Sequence, residues 1–230
     1  MNYIIFVFSY NSKDKTQYVY DTLKSQGAIV KVLENSTTHN AVFESEDTID
    51  LGRNNIGIGG FQDYILENCL DEKINFYGFF TNDVYNFSSN YIESIESNFN
   101  ENIGILHSKV DNDILHPWVR QIGVWNNMPT YNFIENIVPF YNYKLLVKYK
   151  SLLEPPIKNH YYGWMDGTTS SLSNILGLYN IILNECHVSH DRGGIRKNII
   201  GNYEDYIDNA EQSFSKFLNQ NPKLKEVYQF

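Results

Sequence analysis

Tyr3-Ile4-Ile5-Phe6-Val7-Phe8 runs into Ser9-Tyr10-Asn11-Ser12, then a helix-patterned stretch Lys13–Gln26, then Ala28-Ile29-Val30-Val32-Leu33 around Lys31. The first and last runs are short, apolar and rich in β-branched and aromatic residues, which is the pattern of strands buried on both faces. Tyr18, Thr22 and Leu23 are the expected inner face of the intervening helix, and Gly27 is its stop. A strand–helix–strand order of this length predicts a mostly parallel central sheet with helices on both faces, an α/β fold. Phe76–Phe80 and Ile103–His107 read as further buried strands, and Phe61–Leu70, Tyr91–Phe99 and Thr168–Leu178 as helices. Ligands of open α/β sheets gather at the carboxyl ends of the strands, so Asn11, Glu34 and Asp83 are placed on one edge.

The chain has 230 residues, enough for one sizeable core. Its 42% hydrophobic and 20% charged content is that of an ordinary folded domain. A formal charge of −9 argues against nucleic-acid binding, which needs a basic footprint. A single diphosphate remains compatible with it, because a metal neutralises one locally. Cys69 and Cys186 make neither a disulfide framework nor a zinc cluster, which implies buried thiols and a reducing, cytoplasmic setting. No stretch approaches the ~20 apolar residues of a membrane span, and no signal peptide precedes Tyr3. Any membrane contact is expected to be peripheral. Ile181–Leu183 reads as a short strand, Pro117–Pro139 as an aromatic loop region, and Tyr203–Tyr228 as a helical tail broken at Asn221-Pro222.

Several residues carry candidate chemistry. Asn54-Asn55-Ile56-Gly57-Ile58-Gly59-Gly60 fails as a dinucleotide fingerprint because Gln62 stands where the third glycine belongs. A glycine-rich turn ahead of a helix still lets backbone N–H groups approach a ligand; a tight packing turn is the plainer alternative. Thr81-Asn82-Asp83 ends a strand with a carboxylate able to hold a hard divalent cation, or simply forms a turn. Asp166, beside Trp164, suits a general base or a helix cap. His187 and His190 point to opposite faces if they share a strand, so one of them pairing with a distant Asp is the better reading. Asp191-Arg192-Gly193-Gly194 can fold over a pyrophosphate or lie solvated.

In this order the segments resemble a glycosyltransferase of the GT-A fold, closest to the inverting family 2 rhamnosyltransferase-like group, from about Tyr3 to Gly194. The matching motifs are Phe8-Ser9-Tyr10-Asn11, Glu34-Asn35-Ser36, Asn55-Ile56-Gly57-Ile58-Gly59-Gly60, Thr81-Asn82-Asp83 and Trp164-Met165-Asp166, with Gly177 and His190 following. Thr81 replaces the first acid of the family's metal motif, and Met165 the acidic neighbour of its base.

The resemblance implies one domain over 1–230. Its nucleotide-binding part is about 1–107, its acceptor-binding part about 108–200, and its helical tail 201–230. It implies a nucleotide-sugar donor contacted by Ser9, Asn11, Glu34, Asn35, Asn55, Gly57, Gly59, Asn82 and Arg192. It further implies Mn²⁺ or Mg²⁺ on Asp83 and His190, Asp166 as general base, and a glycan or glycolipid acceptor stacked on Trp125, Trp164 or Tyr162. An inactive GT-A-like domain that binds a nucleotide or glycan is the alternative. A nucleotidyltransferase ranks below both, because Ser9–Lys13 lacks glycine.

Overall fold

The computed structural model describes residues 1–111, 119–154, 165–191 and 203–228, with side chains omitted over 203–211. Ten strands build one sheet: β1 (Tyr3–Ser9), β2 (Val30–Glu34), β3 (Thr48–Asp50), β4 (Phe76–Thr81), β5 (Val84–Tyr85), β6 (Ile103–Val110), β7 (Gln121–Trp125), β8 (Met128–Tyr131), β9 (Phe140–Asn142) and β10 (Tyr179–His190). The spatial order is β3-β2-β1-β4-β9-β6-β10-β8-β7, and β5 pairs with the end of β10. β1, β2, β3 and β4 are mutually parallel, as are β6 and β10. β9 lies antiparallel between β4 and β6 and so keeps both blocks pointing one way.

The period of two in the apolar runs divides the core. Ile5 and Val7 join a cluster with Val19 and Leu23 of α1 (Lys13–Ser25) and with Ile92 and Ile95 of α3 (Tyr91–Ser97). Phe6 and Phe8 point the other way, to Phe61 and Ile65 of α2 (Gly57–Asn68), Leu145 and Tyr149 of α4 (Tyr143–Lys150), and Leu172 of α5 (Met165–Ile175). Successive strand side chains face opposite sides, so a continuous apolar run needs helices on both.

Some elements depart from the sequence reading. The inner face of α1 is Thr16, Val19 and Leu23, while Tyr18 is exposed. Helical spacing permits either stripe, and packing against β1 selects the one that carries Val19. The Pro117–Pro139 region holds a hairpin, β7 and β8, instead of an irregular loop. Asn126 and Asn127 both have positive φ, +48° and +64°, the two-residue turn that matches strand twist. The short strand at Ile181–Leu183 lies in the first half of a twelve-residue one. Two tail helices, Tyr203–Gln220 and Pro222–Val227, break at Asn221-Pro222 as the sequence suggests.

α5 is polar yet buried, with Thr168 to Ser173 out of solvent. The Thr168 and Thr169 hydroxyls donate to the Met165 carbonyl and Ser171 to the Gly167 carbonyl, which satisfies them within the helix. Gly177, at φ +70°, ends α5 and turns the chain into β10.

Candidate functional site

The carboxyl edge of the parallel strands gathers most of the candidate residues, in two layers. The inner layer is structural. Ser9 and Glu34 are fully buried, and the Ser9 hydroxyl donates to Glu34 Oε2 at 2.6 Å. The same carboxylate accepts the Phe43 N–H at 2.9 Å and the Ser36 N–H at 2.5 Å. In this structure the side chains of both residues are engaged with protein partners. The physical reason is that a carboxylate at a buried strand end requires donors, and the loop after β2 supplies them. Asn35 is likewise buried, its Nδ2 donating to the Gly52 carbonyl and its Oδ1 accepting the Ile56 N–H. It moors the loop that leads into α2. Asn82 donates to Thr16 Oγ1 at 3.0 Å and ties β4 to α1.

Asn11 is the outward member. Its φ is +48°, its Oδ1 accepts the Thr37 N–H at 2.8 Å, and its own N–H donates to Ser36 Oγ. The loops after β1 and β2 are thereby clamped into one rim. The glycine stretch lies inside α2 and not ahead of it, since the helix begins at Gly57 and not at Phe61. Gly57 has φ +66°, a conformation glycine adopts readily because it has no Cβ, and Asn55 Oδ1 caps its N–H at 3.1 Å. Gly59 is buried within the first turn.

The outer layer is the pair Asp83 and His190. β4 ends at Thr81, the chain turns through Asn82 and Asp83, and β5 then pairs antiparallel with β10, matching Val84 to His190. The Asp191 N–H donates to the Asp83 carbonyl at 2.9 Å and closes the register. Asp83 Oδ1 and His190 Nε2 come to 3.2 Å, with side chains 18% and 14% exposed. Burial pushes the Asp83 carboxyl up, but the His190 imidazole and the Thr81 hydroxyl more than offset it and leave it below the ordinary range. His187 faces elsewhere, 3.7 Å from Asp111. Lys15 on α1 reaches Asp191 at 2.6 Å beside the pair.

Among the described residues, no group of three or more His, Cys, Asp or Glu side chains is placed to hold a metal. Asp83 and His190 therefore supply two ligands at most, one oxygen and one nitrogen. Two ligand atoms each about 2.1 Å from an octahedral cation lie about 3.0 Å apart. The observed 3.2 Å fits that spacing.

Asp166 sits in the first turn of α5, within the helix rather than capping it from Thr168. Burial pushes its carboxyl up to about 7 and nearby Glu135 adds to this, against the opposing N–H groups of Gly167 and Asn136. The Tyr141, Tyr149 and Tyr228 hydroxyls lie within its electrostatic reach. Tyr228 comes from the end of the tail, where its ring covers Gly167.

His107 is a buried residue that the sequence leaves unremarkable. Its Nδ1 donates to the Ser108 carbonyl and its Nε2 accepts the Val138 N–H at 3.3 Å, so it is a neutral core imidazole. Burial, aided by the charge of His190, holds its pKa down at about 4. Trp125 is not at this edge. It stacks on Tyr179, the first residue of β10, at 5.1 Å, whereas His190 is the last. Arg192, Tyr162 and Trp164 lie outside the described residues. Cys186 is a buried thiol pushed up to about 12, while Cys69 is only partly buried and pushed up to about 11.

In structure the chain is similar to A197 from STIV, at 15% identity and a TM-score of 0.53 over 83% of this chain and 85% of that one. It is also similar to S. aureus TarS, at 13% identity and a TM-score of 0.53 over 96% of this chain and 43% of that one. The shared fold is of the GT-A type, a central mixed sheet flanked by helices. A shorter form, TarS 1-349 in complex with UDP, matches at 14% identity and a TM-score of 0.50, over 82% of this chain and 58% of that one. No protein-family model matches the sequence, and no curated protein does. No helix among the described residues is long and apolar enough to cross a membrane.

Proposed function

We propose that this chain is an inverting glycosyltransferase of the GT-A fold, most like the rhamnosyltransferase-like group in its order of motifs. It moves a sugar from a nucleotide diphosphate to a hydroxyl of a glycan or glycolipid. The observation that carries this reading is the Asp83–His190 pair, two residues distant in sequence brought to 3.2 Å where the parallel strands end.

Asp83 and His190 are the residues to hold Mn²⁺ or Mg²⁺, and an oxygen–imidazole set suits Mn²⁺ better. Bound there, the cation supplies Lewis-acid neutralisation of the departing diphosphate. The clamped rim of Asn11, Ser36 and Thr37 and the glycine-rich start of α2 line the same edge and suit the nucleotide.

Asp166 takes the proton from the acceptor hydroxyl. That oxygen forms a bond to the anomeric carbon while the bond from this carbon to the diphosphate oxygen breaks, and the nucleoside diphosphate leaves with the electron pair. A single displacement inverts the configuration. A base held near pH 7 is well matched to this step, since about half of it is ionised at neutral pH and it is basic enough to accept the proton.

The test is nucleotide release from UDP-, GDP- and dTDP-sugars with and without Mn²⁺. Metal-dependent release with one donor, lost in Asp83→Ala, is expected. Release that persists in both Asp83→Ala and Asp166→Asn would sink the reading. Thr81 in place of an acid favours a second reading, a domain that binds the nucleotide without turnover. Its signature is tight donor binding with no release in any metal.

A further inference from the structure

Lys15 stands in the first turn of α1, and its ammonium lies 2.6 Å from Asp191 Oδ2. The two side chains are 37% and 46% exposed, so the pair sits at the surface and not in the core. An exposed ion pair contributes little to stability. It therefore gives way readily to a partner of higher charge, and a phosphate is such a partner for an ammonium.

Direct contacts place this pair against the candidate cation site. The Asp191 N–H donates to the Asp83 carbonyl at 2.9 Å, and Asp83 Oδ1 lies 3.2 Å from His190 Nε2. Thr16, next to Lys15, accepts at Oγ1 from Asn82 Nδ2 at 3.0 Å, so α1 is fixed to the same turn from a second point. The face is also shared. Val188 of β10 belongs to one cluster with Val19 of α1 and Val84 of β5. Side chains two apart on a strand share a face, so His190 lies on the side of β10 that α1 covers. Lys15 is thus a cation at the rim of the Asp83–His190 pair, occupied by one exposed carboxylate.

Resting on the function proposed above, we infer that Lys15 binds the diphosphate of the donor, and that Asp191 competes with the diphosphate for it. Among the described residues the cation has two protein ligands at most, so phosphate oxygens are left to complete its shell. The charge balance calls for a further cation. A coordinating imidazole is neutral, and Asp83 and Asp191 together cancel a divalent ion. The Lys15 ammonium supplies the net positive charge that a diphosphate then meets. Its three donors need no fixed plane, which suits a phosphate approached from one side.

Calorimetry separates this inference from the reading it rests on. Uridine, guanosine and thymidine diphosphates are titrated with saturating Mn²⁺, and the one that binds wild type is carried to the variants. Lys15→Met is expected to weaken it at least about tenfold. Mn²⁺ titrated alone should bind Lys15→Met no more weakly than wild type, because the ammonium repels the cation. Asp191→Asn releases Lys15 and should tighten the diphosphate about two- to fivefold. That gain should vanish when Lys15→Met is added. Should Lys15→Met fail to fold, Asp191→Asn carries the test, because it leaves Lys15 in place. Unchanged diphosphate affinity in Lys15→Met, or equal losses of Mn²⁺ and diphosphate affinity, overturns the inference and makes the pair a surface tether. So does unaltered or weaker binding by Asp191→Asn, or a gain that survives in the double variant. Failure of wild type to bind any of the three diphosphates overturns the proposed function and the inference with it.

Discussion

Replacing Asp166 by Asn should separate stability from activity. The Asp166 carboxyl is held at about 7 against an ordinary 3.8, and burial is the main cause. A group whose folded pKa lies above its unfolded value gives stability that is complete below the unfolded value and lost as pH rises through the folded one. Wild type is therefore weakened progressively between about pH 4 and pH 7 and reaches a plateau above. The full gap corresponds to about 4 kcal/mol. Because the side chain is partly open to solvent at the start of α5, about 2 kcal/mol is the better expectation. Asn carries no charge and escapes this loss. Urea unfolding of both proteins at pH 4.5 and pH 8 measures the difference, and groups common to the two cancel. Asp166→Asn should gain about 2 kcal/mol on wild type between the two pH values while losing sugar transfer. An equal stability difference at both pH values would show that Asp166 ionises normally and would remove the physical basis for its role as base.

Other perturbations test the remaining parts. Asp83→Ala should lower metal-stimulated nucleotide release at least about a hundredfold and leave His190 without its carboxylate, which is read in a release assay with and without Mn²⁺. Glu34→Gln should lower stability by about 1–3 kcal/mol in thermal melts, since the Ser9, Ser36 and Phe43 donors lose a charged acceptor. Its effect on diphosphate affinity should be small by comparison, and a pure affinity loss without destabilisation would mark Glu34 as a nucleotide contact. Gly104→Ala should be severely destabilising, about 2–4 kcal/mol by chemical denaturation, because a Cβ there runs into the Ser173 side chain where β6 packs on α5.

Strands β1, β2, β4 and β6 were legible because they are buried on both faces. Phe6 and Val7 have to point in opposite directions, and each finds helices there, so a continuous apolar run marked the strand without ambiguity. The tail break was legible because Pro cannot continue a helix. The β7–β8 hairpin was missed although Asn126-Asn127 is a recognised turn signal, since flanking aromatics masked the alternation. The start of α2 was missed because glycines at 57, 59 and 60 lower helix propensity, and tertiary packing overrides it.

The site was legible only in part, for a different reason. A residue type at a strand end states that a polar group is present but not which way its atoms point. Glu34 and Asp83 both end parallel strands of the same sheet, yet one carboxylate is enclosed by three donors while the other opens toward a histidine. What separates them is the chain that follows. After Glu34 the loop folds back and delivers the Ser36 and Phe43 N–H groups. After Asp83 the chain enters β5, whose pairing with β10 presents His190 instead. Sequence spacing names candidates, and long-range pairing decides which of them keep an atom available for a ligand.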